Sequence, residues 1–215
     1  MKRVAVFVFA GLVLLALAHR VSDPGLYGDA AHYWSLAASF SNSGHFSLAS
    51  YSEPLRGYAL PLLLALVQRL AVALAVTPLA FFRDVSALLG ATLFALVLPA
   101  LAGRAFGVEV TPGRRLMFAG LCVLYWAPHL LYPLSDLPAL LCLAAGVLRL
   151  PWSPLPLTDA SEPGTRLPGP MAPGWPWSTA LAAGALLALA ANIRPIDEAA
   201  LFAAWLLVCI HCGRT

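Results

Sequence analysis

The sequence predicts an all-α, polytopic membrane protein that forms a single module over residues 1–215. Hydrophobic residues make up 60% of its 215 positions and charged residues only 11%, whereas soluble globular chains carry about 25% charged residues. Several apolar stretches approach the roughly 20 residues that a helix needs to cross the hydrocarbon core of a bilayer. We therefore expect about seven hydrophobic helical segments and a long first extracytoplasmic loop that carries short interfacial helices.

The first apolar segment, Val4–Ala18, follows two basic residues, Lys2 and Arg3. Two interpretations are open. A basic start, an apolar core and small residues at its end are typical of a cleavable signal peptide. The many apolar segments that follow favour an uncleaved signal-anchor helix instead. Under both interpretations the positive-inside rule puts Lys2 and Arg3 in the cytoplasm and His19 onward outside.

The stretch 19–58 is polar and aromatic, and it forms the predicted first extracytoplasmic loop. Within it, Ala30–Phe40 has the pattern of a short amphipathic helix that lies along the membrane surface. Long connections of this kind are often functional. The side chains in this loop that can carry charge include Asp23, Asp29, His32, His45, Glu53 and Arg56.

Six further apolar segments follow the loop. The first of them, Ala59–Val76, contains Gln68 and Arg69, and an arginine at the centre of a membrane helix costs roughly 2.5–3.5 kcal/mol. A Pro-rich stretch at 151–177 reads as an irregular connection. The remaining segments are Val85–Ala102, Leu116–Leu131, Leu137–Leu150, Ser178–Ala191 and Ala199–Ile210.

The orientation of the later segments depends on whether Ala59–Val76 crosses the membrane. If it crosses, strict alternation puts Arg104, Arg114 and Arg115 outside and Asp136 inside. If it dips in and returns, or lies in the interface, those arginines are inside and Asp136 is outside with Asp29. The positive-inside rule favours the second arrangement.

Two carboxylates at segment ends are candidates for chemistry. Asp29 has the context of a residue that caps a helix starting at Ala30, and equally that of a general base or of a ligand for a divalent metal. Asp136 follows Ser135, and either residue is a natural helix cap. The alternative is that Asp136 completes a site that Asp29 begins.

Two arginines are candidates for binding an anionic group, because the guanidinium matches phosphate oxygens. Arg56 forms a polar rim with Glu53 before the second segment, or else serves as an ordinary interface anchor. Arg194 stands beside Pro195 at a helix end, where it either clamps a phosphate or pairs with Asp197 or Glu198. His45 and Tyr58 complete the predicted substrate-binding set.

Short motifs along nearly the whole chain together resemble the GT-C superfamily of polyprenyl-phosphate-sugar-dependent glycosyltransferases. This group includes the protein O-mannosyltransferases and the aminoarabinose transferase of lipid A. No single motif is specific, and the resemblance rests on their order and spacing. The motifs are the acidic and aromatic stretch 29–37, Gly44-His45-Phe46, the helix start at 57–64, Arg83, the turn 103–107, Ser135-Asp136-Leu137-Pro138 and Arg194-Pro195.

The resemblance implies transfer of a sugar, with inversion, from a polyprenyl-phosphate donor to a protein, lipid or glycan acceptor. The reaction is expected at the extracytoplasmic face of a bacterial inner membrane, with no role for nucleic acid. It implies Asp29 as catalytic base or metal-side acid, Asp136 as a second active-site carboxylate, and Arg56 and Arg194 as binders of the lipid phosphate. A divalent metal ion held by Asp29 and Asp136 is the candidate cofactor.

Departures from the family pattern leave other functions open. Ala30 stands where many relatives have a second acid, and Glu53-Pro54-Leu55-Arg56 stands where many have Lys-Pro-Pro. Relatives usually run to about twice this length, so the chain is expected to lack their C-terminal half. The alternatives are a non-enzymatic membrane protein, such as a transporter or assembly subunit, and an inactive truncated fragment. Because only Arg69 falls within an apolar segment, the charge pattern favours a surface site over a permeation path.

Overall fold

A computed structural model describes residues 2–20, 25–43, 57–150 and 176–194. Over these ranges the chain consists of helices and short connections, without a strand, which confirms the predicted all-α class. The helices are α1 Lys2–Arg20, α2 Gly28–Ser43, α3 Ala59–Ala73, α4 Pro78–Ala91, α5 Leu98–Ala105, α6 Pro112–Leu131, α7 Asp136–Arg149 and α8 Trp177–Ile193, with a π-helical segment Thr92–Val97 between α4 and α5. The predicted segment Ala199–Ile210 lies outside the described residues.

One long apolar helix runs through α4, the π-helical segment and α5. It spans Pro78–Ala105, 28 residues, and is the one helix in the described ranges that is long and apolar enough to cross a membrane. The shorter apolar helices are Val4–Arg20, Ala59–Ala73 and Trp177–Ile193. The long helix begins earlier than the predicted Val85, because Thr77 is extended and Pro78 occupies a first-turn position where its missing N–H is not needed.

A proline inside the long helix explains its π-helical segment. Pro99 has no N–H to donate to the carbonyl of Ala95, and its ring crowds the preceding turn. The extra residue of a π turn at Thr92–Val97 makes room for it. Arg115 of α6, only 4% exposed, donates from Nη1 to the carbonyls of Ala95 at 3.1 Å and Leu96 at 3.4 Å. A neighbouring helix therefore supplies a donor to the Ala95 carbonyl that the proline leaves without one.

α1 packs antiparallel to α4 and forms part of the main hydrophobic core. Its buried residues recur at every fourth position, and they join the cluster that contains Ala87 and Phe94. At the last turn of α1, His19 Nε2 lies 2.6 Å from Asp84 Oδ1. Loss of α1 would uncover this core. The four buried α1 residues are Val6, Ala10, Leu14 and Ala18.

α7 and α8 form a tight antiparallel pair whose contacts define two ends of the bundle. At one end Arg194 Nη1 donates to Asp136 Oδ1. Further along, a Cβ on Gly146 would come within 2.9 Å of Leu187, so the helices approach closely there. We call the first end the Asp136 end. The opposite end, where Arg104 Nη1 donates to the carbonyl of Leu148 and α6 begins, is the Arg114 end.

α2 and α3 pack on each other at the Asp136 end, around a second core cluster that includes Tyr33 and Leu64. Arg69 Nη2 donates to the carbonyls of Phe40 at 3.4 Å and Ser41 at 3.0 Å, and so closes the last turn of α2. Gln68 Nε2 likewise donates to the carbonyl of Trp34 at 3.3 Å. The two polar residues that interrupt the apolar segment 59–76 thus bind the backbone of the neighbouring helix.

α3 both begins and ends at the Asp136 end. Its first residue, Ala59, contacts Asn192 at the end of α8. Its last turn leads within a few residues to Pro78, the start of the long helix, on which Asp84 meets His19. α3 therefore does not run the length of the bundle.

Candidate functional site

Asp29 lies in the first turn of α2. The helix begins at Gly28, whose φ of +56° favours glycine. The helix thus starts earlier than the predicted Ala30, and Asp29 is inside its first turn rather than before it. A carboxylate in this position interacts favourably with the unbonded N–H groups of the helix start. The side chain is exposed, so a solute at the Asp136 end can reach it.

An aromatic contact joins the segment that leads to Asp29 with the segment that leads to Asp136. The rings of Tyr27 and Tyr132 meet edge to face, with centroids 5.3 Å apart and planes inclined by 64°. This geometry is a favourable one for aromatic pairs. It brings the N-terminal ends of α2 and α7, which carry Asp29 and Asp136, to the same end of the bundle.

Asp136 is the first residue of α7, and it is paired with Arg194. Ser135 before it makes no capping hydrogen bond through its side chain. The Asp136 carboxylate accepts a hydrogen bond from Arg194 Nη1, and both side chains are half-buried. Such charge-assisted bonds are stronger than neutral ones. The alternative partners expected for Arg194, Asp197 and Glu198, lie outside the described residues, and the partner observed for Arg194 is Asp136.

The start of α3 is fixed against the end of α8. The N–H of Ala59 donates to Asn192 Oδ1 at 2.8 Å, which satisfies one of the donors that a helix start leaves unbonded. Gly57 packs so closely that a Cβ there would overlap the carbonyl of Asn192. Tyr58, a predicted substrate-binding residue, is half-buried directly before α3. These contacts place Tyr58 beside the residues that precede Arg194.

Asn192 and the His19–Asp84 pair are polar features of this end that the sequence did not single out. Asn192 is one polar residue near the end of α8, a helix of otherwise mostly small and apolar residues. This contrast with its neighbours could have identified Asn192 from the sequence, because a polar side chain in such a helix usually has a specific partner. His19 and Asp84 are far apart in sequence, and no local pattern links them.

Three predicted site residues, His45, Glu53 and Arg56, lie outside the described residues and stay predictions. For a divalent cation, the described ranges hold no group of three or more His, Cys, Asp or Glu side chains within reach of one ion. Asp136, one of the two proposed ligands, shares its carboxylate with Arg194. The donor set that the structure describes therefore does not fit a divalent metal.

The Asp136 end brings together three kinds of chemistry. Asp29 offers an exposed carboxylate that can accept a proton. Arg194 offers a guanidinium held in place by Asp136, and only one of its five N–H donors need serve that pair. Tyr27 and Tyr132 offer ring faces of the kind that stack on sugars or pack at a headgroup layer.

Comparisons of the chain with protein-family models, with curated proteins and with solved structures return no match. The resemblance to the GT-C glycosyltransferases therefore stays a prediction from the motifs.

Proposed function

We propose that the chain is a polytopic membrane glycosyltransferase that moves a sugar, with inversion, from a polyprenyl-phosphate donor to an acceptor at the extracytoplasmic face. In this proposal α1, the long helix Pro78–Ala105, α6, α7 and α8 cross the bilayer. α2 and α3 stay at the outer interface. The Asp136 end faces outward, and the Arg114 end faces the cytoplasm.

The distribution of arginines supports this orientation. Arg104, Arg114 and Arg149 lie at the Arg114 end, where Glu109 is the acidic residue among those described. Lys2 and Arg3 begin α1 at the same end. Cytoplasmic segments carry an excess of Lys and Arg in membrane proteins. Among the described residues, the Arg114 end thus carries six basic residues and the Asp136 end four, Arg20, Arg69, Arg83 and Arg194. We assign the Arg114 end to the cytoplasm on this difference, which leaves the opposite end for a lipid-linked donor outside.

The observation that carries the proposal is that Asp29 and the Asp136–Arg194 pair lie at the same end of the bundle, where the ring of Tyr27 contacts that of Tyr132. Three different helices, α2, α7 and α8, contribute these residues. Glycosyl transfer from a lipid phosphate needs a base for the acceptor and a cation for the departing phosphate. An exposed carboxylate and a fixed guanidinium supply these two groups.

In the proposed reaction, the acceptor hydroxyl or amine attacks the anomeric carbon from the face opposite the phosphate. A bond forms between the acceptor atom and the anomeric carbon while the bond from that carbon to the phosphate oxygen breaks. The acceptor proton passes to Asp29, and the electron pair of the broken bond leaves with the polyprenyl phosphate. Arg194 stabilises the charge that grows on that phosphate.

Asp136 has a positioning role in this scheme. Because its carboxylate already accepts from Arg194, it holds the guanidinium at the outer end of α8. This differs from the sequence-based expectation of a second carboxylate that acts on substrate directly. The scheme requires one proton acceptor, Asp29, since the phosphate is a good leaving group without protonation.

The decisive experiment replaces Asp29 by Asn in the full chain. Transfer of mannose from polyprenyl-phosphate-mannose to a lipid or peptide acceptor should fall by about 10²–10⁴-fold, the usual contribution of a general base. Asp84→Asn is the matched control, because Asp84 is also a solvent-accessible carboxylate near this end but pairs with His19. Membrane insertion of both variants should equal that of the wild type. Full activity in Asp29→Asn, or equal loss in Asp84→Asn, would contradict the assignment.

The orientation has its own test, which does not require activity. In a cysteine-free background, single cysteines replace Ser39 on α2, Thr77 between α3 and α4, and Gly113 on α6, all exposed positions. A membrane-impermeant maleimide should label positions 39 and 77 in intact cells, and position 113 only after permeabilisation. Labelling of 39 and 77 from opposite sides would show that α3 crosses the membrane, and the proposed arrangement would then be wrong.

A further inference from the structure

Tyr27, directly before α2, presents an aromatic ring to solvent. Its side chain is 67% exposed. The ring is nevertheless held on one side, because it meets the ring of Tyr132 edge to face with centroids 5.3 Å apart. The backbone of Tyr27 is also tied to α2, since its carbonyl accepts from the N–H of Ala31 at 3.4 Å. Tyr27 is therefore an exposed ring with a defined position at the Asp136 end.

The geometry of the pair leaves at least one face of the Tyr27 ring uncovered by Tyr132. With planes inclined by 64°, the edge of one ring points at the face of the other. If Tyr27 supplies the edge, Tyr132 covers neither of its faces, and if it supplies the face, the opposite face stays open. Among the described residues, a Cβ on the flanking Gly25 or Gly28 would meet nothing within 4 Å. A flat partner can therefore approach the ring.

The segment that carries Tyr27 is polar and has no basic residue of its own. Within the described residues 25–43, Asp29 is the one carboxylate, and there is no Lys or Arg. Arg69 contacts α2 only at its last turn, at the other end of the helix from Tyr27. A helix that binds anionic lipid headgroups typically presents Lys and Arg on its polar face. The exposed positions of α2 after Asp29 instead carry hydroxyl and amide groups, at Ser35, Ser39, Asn42 and Ser43. This composition favours an uncharged ligand that is rich in hydroxyl groups.

A pyranose ring combines the two kinds of group that this surface can bind. The C–H bonds on one side of the sugar carry partial positive charge, and they attract the negative face of an aromatic ring. The sugar hydroxyls are donors, and Asp29 follows Tyr27 by two residues, so the two Cα atoms are at most about 7 Å apart. Hydrogen bonds to an ionised acceptor are the stronger class. A purely apolar molecule would make no use of Asp29, and an anion would be repelled by it.

We infer that Tyr27 is a stacking platform for a pyranose ring at the Asp136 end. The inference deepens the proposed function, on which it rests, by assigning a sugar-binding residue to the same site. The pyranose belongs either to the sugar on the polyprenyl-phosphate donor or to a glycan acceptor, because the face of Tyr27 recognises the same C–H groups in both. Tyr132 has a positioning role, since its ring holds that of Tyr27 beside the segment that leads to Asp29.

The first test measures binding of free sugars to the full chain in mild detergent, without catalysis. Saturation-transfer NMR is applied to the methyl pyranosides of glucose, galactose and mannose, and to mannitol, which has the hydroxyls of a sugar but no ring. At least one methyl pyranoside should bind, with the strongest transfer to its ring C–H protons, and mannitol should bind much more weakly. Absence of transfer to all three pyranosides, or equal transfer to mannitol, would overturn the inference.

Matched variants locate the sugar at Tyr27. Tyr27→Leu removes the aromatic face and should raise the Kd of the bound pyranoside about 2–10-fold, the scale of one aromatic contact. Tyr27→Trp keeps an aromatic face and should retain binding. Trp177→Leu is the control, because Trp177 is also an exposed ring, 84% exposed, but lies at the Arg114 end, and this change should leave Kd unaltered. An unchanged Kd in Tyr27→Leu, or an equal rise in Trp177→Leu, would contradict the assignment.

Transfer kinetics distinguish the two sources of the pyranose. In Tyr27→Leu, a higher KM for the polyprenyl-phosphate sugar with kcat largely unchanged identifies the donor sugar, and a higher KM for a glycan acceptor identifies the acceptor. An unchanged KM for both substrates would overturn the inference.

The failure of the sugar platform and the failure of the proposed function give different results. Loss of transfer in Asp29→Asn, together with no sugar binding by the wild type, would overturn the platform and support the proposed function. Sugar binding that depends on Tyr27, together with full transfer activity in Asp29→Asn, would support the platform and contradict the role of Asp29 as the base.

Discussion

The two ends of the bundle use arginine in different ways. At the Arg114 end, Arg104, Arg114 and Arg115 all donate to backbone carbonyls. At the Asp136 end, Arg69 also donates to backbone carbonyls, but Arg194 binds the carboxylate of Asp136. A guanidinium on a helix carbonyl, as for Arg69, Arg104 and Arg115, completes the hydrogen bonding of that helix. A guanidinium on a half-buried carboxylate keeps a charge at a surface where a ligand can share it.

This difference separates residues that support the fold from residues that are available for chemistry. Loss of a donor to buried carbonyls leaves polar groups without partners, which lowers the free energy of unfolding. Loss of one partner in a half-exposed ion pair lowers it much less, because water replaces the missing charge. Substitutions of Arg104 and Arg115 at the Arg114 end should therefore act mainly on stability. Substitutions of Asp136 and Arg194 at the Asp136 end should act mainly on activity.

The largest effect is expected for Arg194→Met. Without the guanidinium, the growing charge on the donor phosphate is not stabilised, and kcat for sugar transfer should fall by about 10²–10³-fold, as for removal of one electrostatic group in other enzymes. Asp136→Asn is the matched variant, because an amide oxygen still accepts from Arg194 and the guanidinium stays nearby. It should raise KM for the donor and leave kcat largely unchanged.

The same pair of variants also tests whether the arginines at the two ends have different roles. If Arg194→Met unfolds at a much lower denaturant concentration than the wild type while a folded fraction keeps its kcat, Arg194 is a structural residue. The Asp136 end would then resemble the Arg114 end, and the proposed role in phosphate binding would be lost.

The next effect concerns Arg115, the buried arginine beside the π-helical segment. Arg115→Met removes the donor to the carbonyls of Ala95 and Leu96, and the free energy of unfolding should fall by about 1–3 kcal/mol. Arg114 is the preceding residue but is exposed, so Arg114→Met should change the free energy of unfolding by less than about 0.5 kcal/mol. Both are measured by SDS titration in detergent without added phospholipid.

A second substitution sharpens the explanation for Arg115. Pro99→Ala restores an N–H that can reach the Ala95 carbonyl, so this carbonyl no longer depends on Arg115. The loss of unfolding free energy caused by Arg115→Met should then be smaller in the Pro99→Ala background. The difference should be about 0.5–3 kcal/mol, the interaction energy usual for residues that share a partner. Additive effects of the two substitutions would mean that Arg115 stabilises the bundle in some other way.

The helices themselves were largely predictable from the sequence, because runs of apolar residues report burial directly. The helix that contains Asp29, the long helix, α6, α7 and α8 all match predicted segments, with their ends shifted by a few residues. Polar residues at segment ends likewise indicated Asp29, Asp136 and Arg194. Local patterns suffice for such residues, since each is defined by its neighbours in the chain.

Partners that are distant in sequence were not predictable in the same way. The sequence showed Arg69 only as a charge within an apolar segment. In the structure its guanidinium donates to the carbonyls of the last turn of α2. Asn192 and Arg115 also bind backbone groups of other helices. A backbone carbonyl has the same chemistry at every residue, so the sequence does not indicate which carbonyl will accept a hydrogen bond from a given arginine. Those choices follow from packing between helices.

The smallest effect is expected for the His19–Asp84 pair, and it tests the comparison most finely. The side chains are 53% and 39% exposed, so solvent screens their attraction despite the 2.6 Å distance between Nε2 and Oδ1. A double-mutant cycle with His19→Gln and Asp84→Asn should give a coupling energy of about 0.2–1 kcal/mol, typical of exposed pairs. A coupling energy as large as the Arg115 effect would mean that the His19–Asp84 pair holds α1 to the long helix. Charged pairs at the Asp136 end would then stabilise the fold as much as the arginines of the Arg114 end do. In that case the two pairs at the Asp136 end would have different roles, with His19–Asp84 supporting the fold and Asp136–Arg194 available for chemistry.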